Sequence, residues 1–376
     1  MSDHTAEIIN HAHPHTIKKF ELILKYVEVW AQKLLQNSYC NKIVFIDCMA
    51  NSGEYIDECG NKVFGTPVKV AKYLRKVAGQ YPKKQIELYF SDLSVAKTKH
   101  LSTLMPRSKN NFSYHIFAQD GNKLIRQLAK KFEPNTHYLL VYDPFDASID
   151  WESIAPFINH WGEVIINHMV SDPMRAIKMV KSDIAKKKYE KTYSTELCNL
   201  IPYGSNKDAY NNRITEIIYR IHQNKDRKYF ISAFPFFNGK NAIVYNLIHC
   251  TGNIEGFKLF KKSAWQTFRG KSSTKNTYGN ENQLVFDCEK TGNIKTFTDE
   301  YCYYVKDIAE YLQIEFDGKK DVPLSKIWDL LDKHPIFPSE GFRQQIKKEL
   351  KDTYHAKETR GKISFTNTGK GKNENS

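Results

Sequence analysis

Four aspartates, Asp47, Asp92, Asp120 and Asp143, each close an apolar run: KIVFI, IELYFS, YHIFAQ and HYLLVY. A carboxylate at the end of a buried strand can accept two hydrogen bonds from a diol, which is how α/β nucleotide sites hold a ribose. One acidic strand end is ordinary solvation of a terminus. Four in series converge on one edge if the strands run parallel. After Asp47 comes a turn of small residues, Ala50, Asn51, Ser52 and Gly53. Strand, acidic end and tight turn together read as the ligand edge of a doubly wound sheet. Asp92 is expected on ribose hydroxyls, Asp120 near an adenine, and Asp47 at the turn or the methionine end of a cofactor. There is no GxGxxG and no Walker lysine, so dinucleotide and ATP readings are weak. S-adenosylmethionine fits better, because it has no pyrophosphate to demand a Gly-rich helix start. Its expected binding set is Asp47, Ala50, Ser52, Gly53, Asp92 and Asp120.

Asp143-Pro144-Phe145 is the second chemical element. A polar residue, a proline and an aromatic after the fourth strand can receive the exocyclic amine of a flipped base, with the aromatic stacked on it. Methyl transfer then needs little beyond in-line positioning. The plain alternative is a Pro-terminated strand with a capping aspartate. Two further groups carry weaker signals. His4, His11, His13 and His15 have an HxHxH spacing, but they lie in a polar segment with no nearby cysteine and read as a solvated tail. Cys48 beside Asp47 could be a nucleophile; with no partner base in view it reads as a packed small residue.

The elements that must position these groups follow a β-α-β rhythm. Strands are expected at 43–47, 86–90, 114–118, 137–142 and 163–167, with helices at 67–78, 94–104, 122–132 and 152–159 between them. An amphipathic helix over 17–36 precedes them, with Thr16 as N-cap. A basic helical insertion spans about 171–228. Strands at 228–234 and 242–249 form a hairpin across Asn238-Gly239, a common end to methyltransferase-type sheets. Residues 269–300, with GKSSTKNTYGNENQ at their start, read as a linker or mobile loop. Helices over 323–334 and 339–352, then short strands around Arg360-Gly361, suggest a winged helix over 301–366. The tail 367–376 reads as disordered. The expected fold class is thus α/β: a Rossmann-like, mostly parallel sheet over 1–268, followed by a small winged-helix-like domain.

Composition supports a folded chain with an anionic partner. The 376 residues carry 56 Lys plus Arg against 42 Asp plus Glu, a net charge of +14. A basic surplus draws polyanions, and nucleic acid is the usual one. The candidate phosphate contacts are Lys186, Lys187, Lys188, Lys261, Lys262, Arg269, Arg343, Lys347, Lys348 and Arg360. The bland alternative is a solvated, lysine-rich surface. No apolar run approaches the roughly 18 residues of a membrane span. The N-terminal residues lack the apolar core of a secretory signal. Seven scattered cysteines without a CxxC pair read as reduced, which suggests a cytoplasmic protein.

Several motifs, in order, resemble the three-Cys-motif partner proteins, a methyltransferase-like family. Thr16-Ile17-Lys18-Lys19 matches the family's Thr-x-x-Lys helix start, and FIDCMANSGEY matches its YIDxFAGPGRY strand and turn. Gly65-Thr66-Pro67 matches Gly-Ser-Pro, VYDPFDA matches FLDPFG, and Val244-Tyr245-Asn246-Leu247 matches a Tyr-x-Leu strand. The resemblance covers roughly residues 15–268. It implies a methyltransferase-like Rossmann fold and association with a small partner carrying a three-cysteine motif. Two departures stand out: Asn51-Ser52-Gly53 replaces Gly-Pro-Gly, and Asp146 replaces the Gly after Asp-Pro-Phe. These readings lead to an S-adenosylmethionine-dependent methyltransferase acting on nucleic acid, with Asp143, Pro144 and Phe145 receiving the acceptor. The rivals are a catalytically degenerate module that binds nucleic acid or a partner, and a nuclease holding magnesium on strand-end carboxylates.

Overall fold

The computed structural model describes residues 8–144, 148–159, 161–169, 187, 190–192, 229–277 and 302–369. In chain order the first elements are β1 (Asn10–His11), α1 (Pro14–Gln36), β2 (Lys42–Asp47), β3 (Glu54–Ile56), β4 (Lys62–Phe64) and α2 (Thr66–Ala78). There follow β5 (Gln85–Asp92), α3 (Val95–Leu104), β6 (Phe112–Ala118), α4 (Gly121–Ala129), β7 (Thr136–Tyr142), α5 (Trp151–Ile154) and β8 (Gly162–Met169). The last are β9 (Phe230–Phe237), β10 (Ile243–Thr251), α6 (Ile254–Thr267), α7 (Val305–Glu315), β11 (Val322–Pro323), α8 (Leu324–Lys333), α9 (Arg343–Tyr354), β12 (Lys357–Thr359) and β13 (Lys362–Ser364).

The central sheet has seven strands in the order β6-β5-β2-β7-β8-β10-β9. The first five pair in parallel; β10 is antiparallel to both β8 and β9. The sequence dictates burial on both faces. Along β2, Ile43 and Phe45 join the cluster under α1, α2 and α6, while Val44 and Ile46 join the one under α4 and α5. Such unbroken apolar runs belong to strands covered on both sides. All four aspartates therefore lie toward the carboxyl edge, as expected from their positions.

Several boundaries differ from the sequence reading. Within the expected solvated tail, β1 pairs with β3, and α1 starts at Pro14 with His13, not Thr16, as its N-cap. Proline is suited to a first helical turn, where its missing N–H has no partner to lose. The expected helix over 152–159 is α5 plus a 3-10 turn, Ala155–Phe157, with Pro156 inside the turn. The hairpin β3-β4 and helix α7 were not foreseen. Nor was the seating of residues 272–274, the start of the expected linker. Ser272, Ser273 and Thr274 are buried, and Thr274 Oγ1 accepts from the Phe237 N–H at 2.7 Å. Apart from Lys187 and residues 190–192, which are helical, the basic insertion lies outside the described residues.

The C-terminal elements form a three-stranded sheet, β11-β13-β12, flanked by α7, α8 and α9. Their core is continuous with that of the large sheet. Helix α6 joins them. Lys261, fully buried, donates to the carbonyls of Leu331, Asp332 and His334 at 2.8, 3.0 and 2.7 Å. Trp265 Nε1 donates to the Ile336 carbonyl at 3.0 Å. Burial pushes the Lys261 ammonium down to about 7, yet its three hydrogens meet three acceptors at the carbonyl end of α8, which favours the cation. Lys261→Met should therefore leave three carbonyls unpaired and lower stability by about 3 kcal/mol, read from urea midpoints.

Candidate functional site

The turn after β2 is built from short hydrogen bonds. The Ala50 N–H donates to the Ser91 carbonyl at 2.8 Å, and Ser91 Oγ donates to the Cys48 carbonyl at 2.7 Å. Asn51 adopts φ 55° and Gly53 φ 74°. Asparagine tolerates the left-handed region, so the turn forms without the glycine of the resembled family. Gly53 is required: a Cβ there would lie 2.4 Å from Leu101 Cδ1 and 2.8 Å from Val68 Cγ2. Gly121 is required for another reason, since its Cβ would lie 2.2 Å from the Cys48 carbonyl oxygen. Helix α4 thus begins directly against the turn.

At the ends of β2 and β7 lies a half-buried ion pair. Lys19 Nζ, from α1, donates to Asp143 Oδ2 at 2.5 Å. Asn167 Nδ2, from β8, donates to Asp143 Oδ1 at 2.6 Å. The Lys19 side chain is 8% exposed and that of Asp143 30%, so the carboxylate is the member that faces solvent. Lys19 also lies 5.2 Å from the Tyr245 ring centroid. Asp47 sits beneath, almost fully buried. Burial pushes it up to about 7, with Asp143 adding to the rise and the Met49 N–H and Lys19 opposing it. Tyr55 on β3 is pushed up by burial and then by Asp143, Asp47 and Asp92, while an Asn51 hydrogen bond opposes the rise. These groups therefore share one electrostatic neighbourhood.

The expected cofactor residues divide by exposure. Ala50, Ser52 and Gly53 are buried in the turn, and Ser52 Oγ donates to the Glu54 carbonyl at 2.9 Å. Asp92 is half-buried and accepts from the Ser94 N–H at 2.8 Å. Asp120 is exposed and caps α4 by accepting from the Lys123 N–H at 2.9 Å. Pro144 is buried beside Asp143; Phe145 lies outside the described residues. No group of three His, Cys, Asp or Glu among the described residues could hold a metal ion, so the strand-end aspartates do not support the nuclease reading.

The expected phosphate contacts fare unevenly. Lys261 is a correction: it is sealed inside the junction with α8 and cannot meet a polyanion. Lys262 lies 3.8 Å from Glu340, and Lys347 donates to Glu358 at 2.5 Å. Lys187, Arg269, Arg343, Lys348 and Arg360 are exposed; Lys186 and Lys188 lie outside the described residues. The histidine segment is corrected only in part: His11 and His13 are exposed, as expected, and His4 lies outside the described residues. His13 contacts Glu58 at 3.2 Å and stacks on His15, which packs edge-on against Tyr245. Burial, then His13, pushes His15 down to about 4. Cys48 is buried, donates to the Val141 carbonyl and has its thiol pushed well up by burial, so it is no nucleophile.

Sequence reasoning gave no role at this edge to four residues: Lys19 and Tyr55, which enter only as positions of the resembled motifs, and Asn167 and Leu93. Lys19 had a signal, since a lysine on the apolar face of an amphipathic helix needs a buried partner. Leu93 had one too: an apolar residue directly after a strand-end carboxylate, here 74% exposed. Tyr55 had only its place at the end of the FIDCMANSGEY match, and Asn167 carried no signal, because only the topology brings it in.

No family model matches the chain, and no curated protein does. The fold is similar to that of MnmC2 from Aquifex aeolicus, at 9% identity and a TM-score of 0.32, covering 62% of this chain. The match spans 60% of that protein's chain. Human methyltransferase-like protein 13, solved with S-adenosylhomocysteine, is similar at 11% identity and a TM-score of 0.31, over 72% of this chain and 97% of the other. A fibrillarin/Nop5p complex is similar at 12% identity and a TM-score of 0.29, over 61% and 83%. The fold assignment stands on the strand order itself.

Asp47 makes the edge pH-sensitive. Its folded value, about 7, lies above the ordinary 3.8, so the folded chain keeps a proton that the unfolded chain releases between these values. Burying Asp47 therefore carries no electrostatic cost at low pH; the cost grows as pH rises and is complete above about 7. Asp47→Asn should match the parent near pH 4 and exceed its stability at pH 8 by up to about 4 kcal/mol. Urea unfolding at the two pH values checks this.

Proposed function

We propose that the chain is an S-adenosylmethionine-dependent methyltransferase-like protein that acts on nucleic acid. The observation that carries this reading is the sheet order, with β10 inserted antiparallel between β8 and β9. That arrangement characterises methyltransferase-type sheets, whose ligands sit at the carboxyl edge. The residues there fit the cofactor's chemistry. Asp92 can take the ribose hydroxyls, and exposed Leu93 beside it offers an apolar face to an adenine. Asp120, at the start of α4, has a free carboxylate oxygen for the adenine edge. Asp47 and the turn through Gly53 suit the methionine end. With Lys19 offset by Asp143, the carboxyl groups of Asp47, Asp92 and Asp120 bias the cleft toward negative charge, which favours a ligand bearing a sulfonium and an ammonium. When bound, the cofactor supplies an electrophilic methyl group, and Asp143 with Pro144 and Phe145 receives the acceptor.

The nucleic-acid part of the reading rests on the C-terminal elements. Helix α7, strand β11, helices α8 and α9 and the β12-β13 hairpin follow the order of a winged helix. Arg343 and Lys348 on α9, with Arg360 at the hairpin turn, leave exposed cations on two of its elements. Arg269, at the end of α6, adds another. The resemblance to three-Cys-motif partner proteins adds a small three-cysteine protein as the partner to seek by co-purification.

Isothermal titration with S-adenosylmethionine tests the cofactor site. Micromolar binding is expected, weakened at least tenfold by Asp92→Ala, since one carboxylate holding a diol is worth about 1.5–3 kcal/mol. A cation near Asp47 should also displace its proton, so binding should tighten about tenfold from pH 6 to pH 8 and lose that dependence in Asp47→Asn. No binding at either pH would replace this reading with the degenerate, non-catalytic module.

A further inference from the structure

The acceptor end of the cleft holds a built donor–acceptor array. Lys19 and Asn167 are buried, and both hold the half-exposed Asp143 carboxylate in one orientation. The Asn167 amide spends its nitrogen on Asp143 and, weakly, on the Met169 sulfur at 3.9 Å. Its own oxygen, Oδ1, is buried without a partner. An acceptor in that state is costly unless a ligand completes it.

We propose that Lys19, Asp143 and Asn167 form a recognition site for a neutral amino-heteroaromatic edge, an amino group beside a ring nitrogen as on adenine or cytosine. The inference rests on the methyltransferase reading and names its acceptor class. An amino group has two hydrogens. Asp143, whose carboxylate oxygens keep spare lone pairs, takes one, and Asn167 Oδ1 takes the other. The ring nitrogen is an acceptor and meets a remaining N–H of Lys19. Charge narrows the class further. Lys19 and Asp143 together are neutral, so a lysine or arginine side chain would meet the Lys19 cation with no net attraction. Thymine or uracil presents one N–H between two carbonyl oxygens. One of those oxygens would face an acceptor of the array and leave both unsatisfied, the kind of mismatch that discriminates strongly. Lys19 is thus a specificity residue reaching the site from α1, outside the Asp-Pro-Phe motif.

The test is fluorescence anisotropy with single-stranded oligo-dA, oligo-dC and oligo-dT of about ten nucleotides, at fixed salt. The full chain should prefer dA or dC over dT by about tenfold, the discrimination expected of one good bidentate base contact. Asn167→Ala should reduce that preference below about twofold with dT binding unchanged. So should the double variant Lys19→Met with Asp143→Asn, which removes both charges together and so leaves neither buried alone. Lys19→Arg, which keeps the cation, should retain most of the preference. Melting temperatures identify any variant that fails to fold. Equal binding of all three strands, no binding of any, or a preference that survives both folded variants would overturn the inference. Titration with S-adenosylhomocysteine separates the two levels. Cofactor binding without base preference removes this inference alone. Base preference without cofactor binding removes the methyltransferase reading and leaves the array as a base-binding site.

Discussion

Helix α1 is fixed to the sheet by two buried polar contacts, and the geometry of the cleft depends on them. Lys19 meets Asp143 at the carboxyl edge. Seven residues later, on the same face and two turns down, Tyr26 donates to Glu163 near the opposite edge. Glu163 also meets His249 at 2.9 Å. The ring of His249 stacks on Phe260 of α6, and Gly256 lets that helix approach, since a Cβ there would lie 2.9 Å from both Glu163 oxygens. An apolar stripe alone would let α1 slide along the sheet. Two polar contacts set its height and rotation: loss of Asp143 would leave Lys19 buried without its partner, and loss of Tyr26 would leave Glu163 with His249 alone.

The upper contact also sets the electrostatics of the cleft. Three aspartates converge there, and without a cation their mutual repulsion would work against the fold. Lys19 offsets part of it. Burial is the main reason that Asp47 retains its proton to about pH 7, and the repulsion that Lys19 leaves uncompensated adds to it. A cationic ligand relieves this strain and a neutral one does not, which links the stability of the edge to its occupancy. At the other end of the molecule, Lys261 plays a comparable part between α6 and α8. Both lysines were drawn out of the basic surplus to hold the architecture, so the net charge overstates what is left for a polyanion.

Much of the fold was legible because local rules agreed with the tertiary result. The runs before Asp47, Asp92 and Asp143 became β2, β5 and β7; those of β2 and β7 are nearly unbroken, as strands covered on both faces must be, whereas Glu87 and Ser91 interrupt that of β5. The final hairpin was legible from Asn238-Gly239, though β9 and β10 extend beyond the expected ends. Most of the misses share one cause. The strand β1 and the seated residues 272–274 depend on partners far away in sequence, which no local pattern reveals, whereas the short α5 had a local signal in Pro156. The site divides in the same way. Its aspartates follow from strand ends, whereas Tyr55 and Asn167 enter only through the β3-β4 hairpin and the β7-β8 pairing. Lys261 was misread because a lysine among Phe257, Phe260 and Trp265 looks like an aromatic, basic nucleic-acid surface. The buried face of α6 gives the same pattern.

The measurement that tests this account most directly is a double-mutant cycle on folding stability with Lys19→Met, Asp143→Asn and the two combined. If the pair anchors α1 and sets the charge of the cleft, each single change should cost about 3 kcal/mol and the double little more, a coupling of about 2 kcal/mol or greater. Additive effects, with coupling below about 0.5 kcal/mol, would mean that the pair is incidental and that the cleft is organised by the turn after β2 alone.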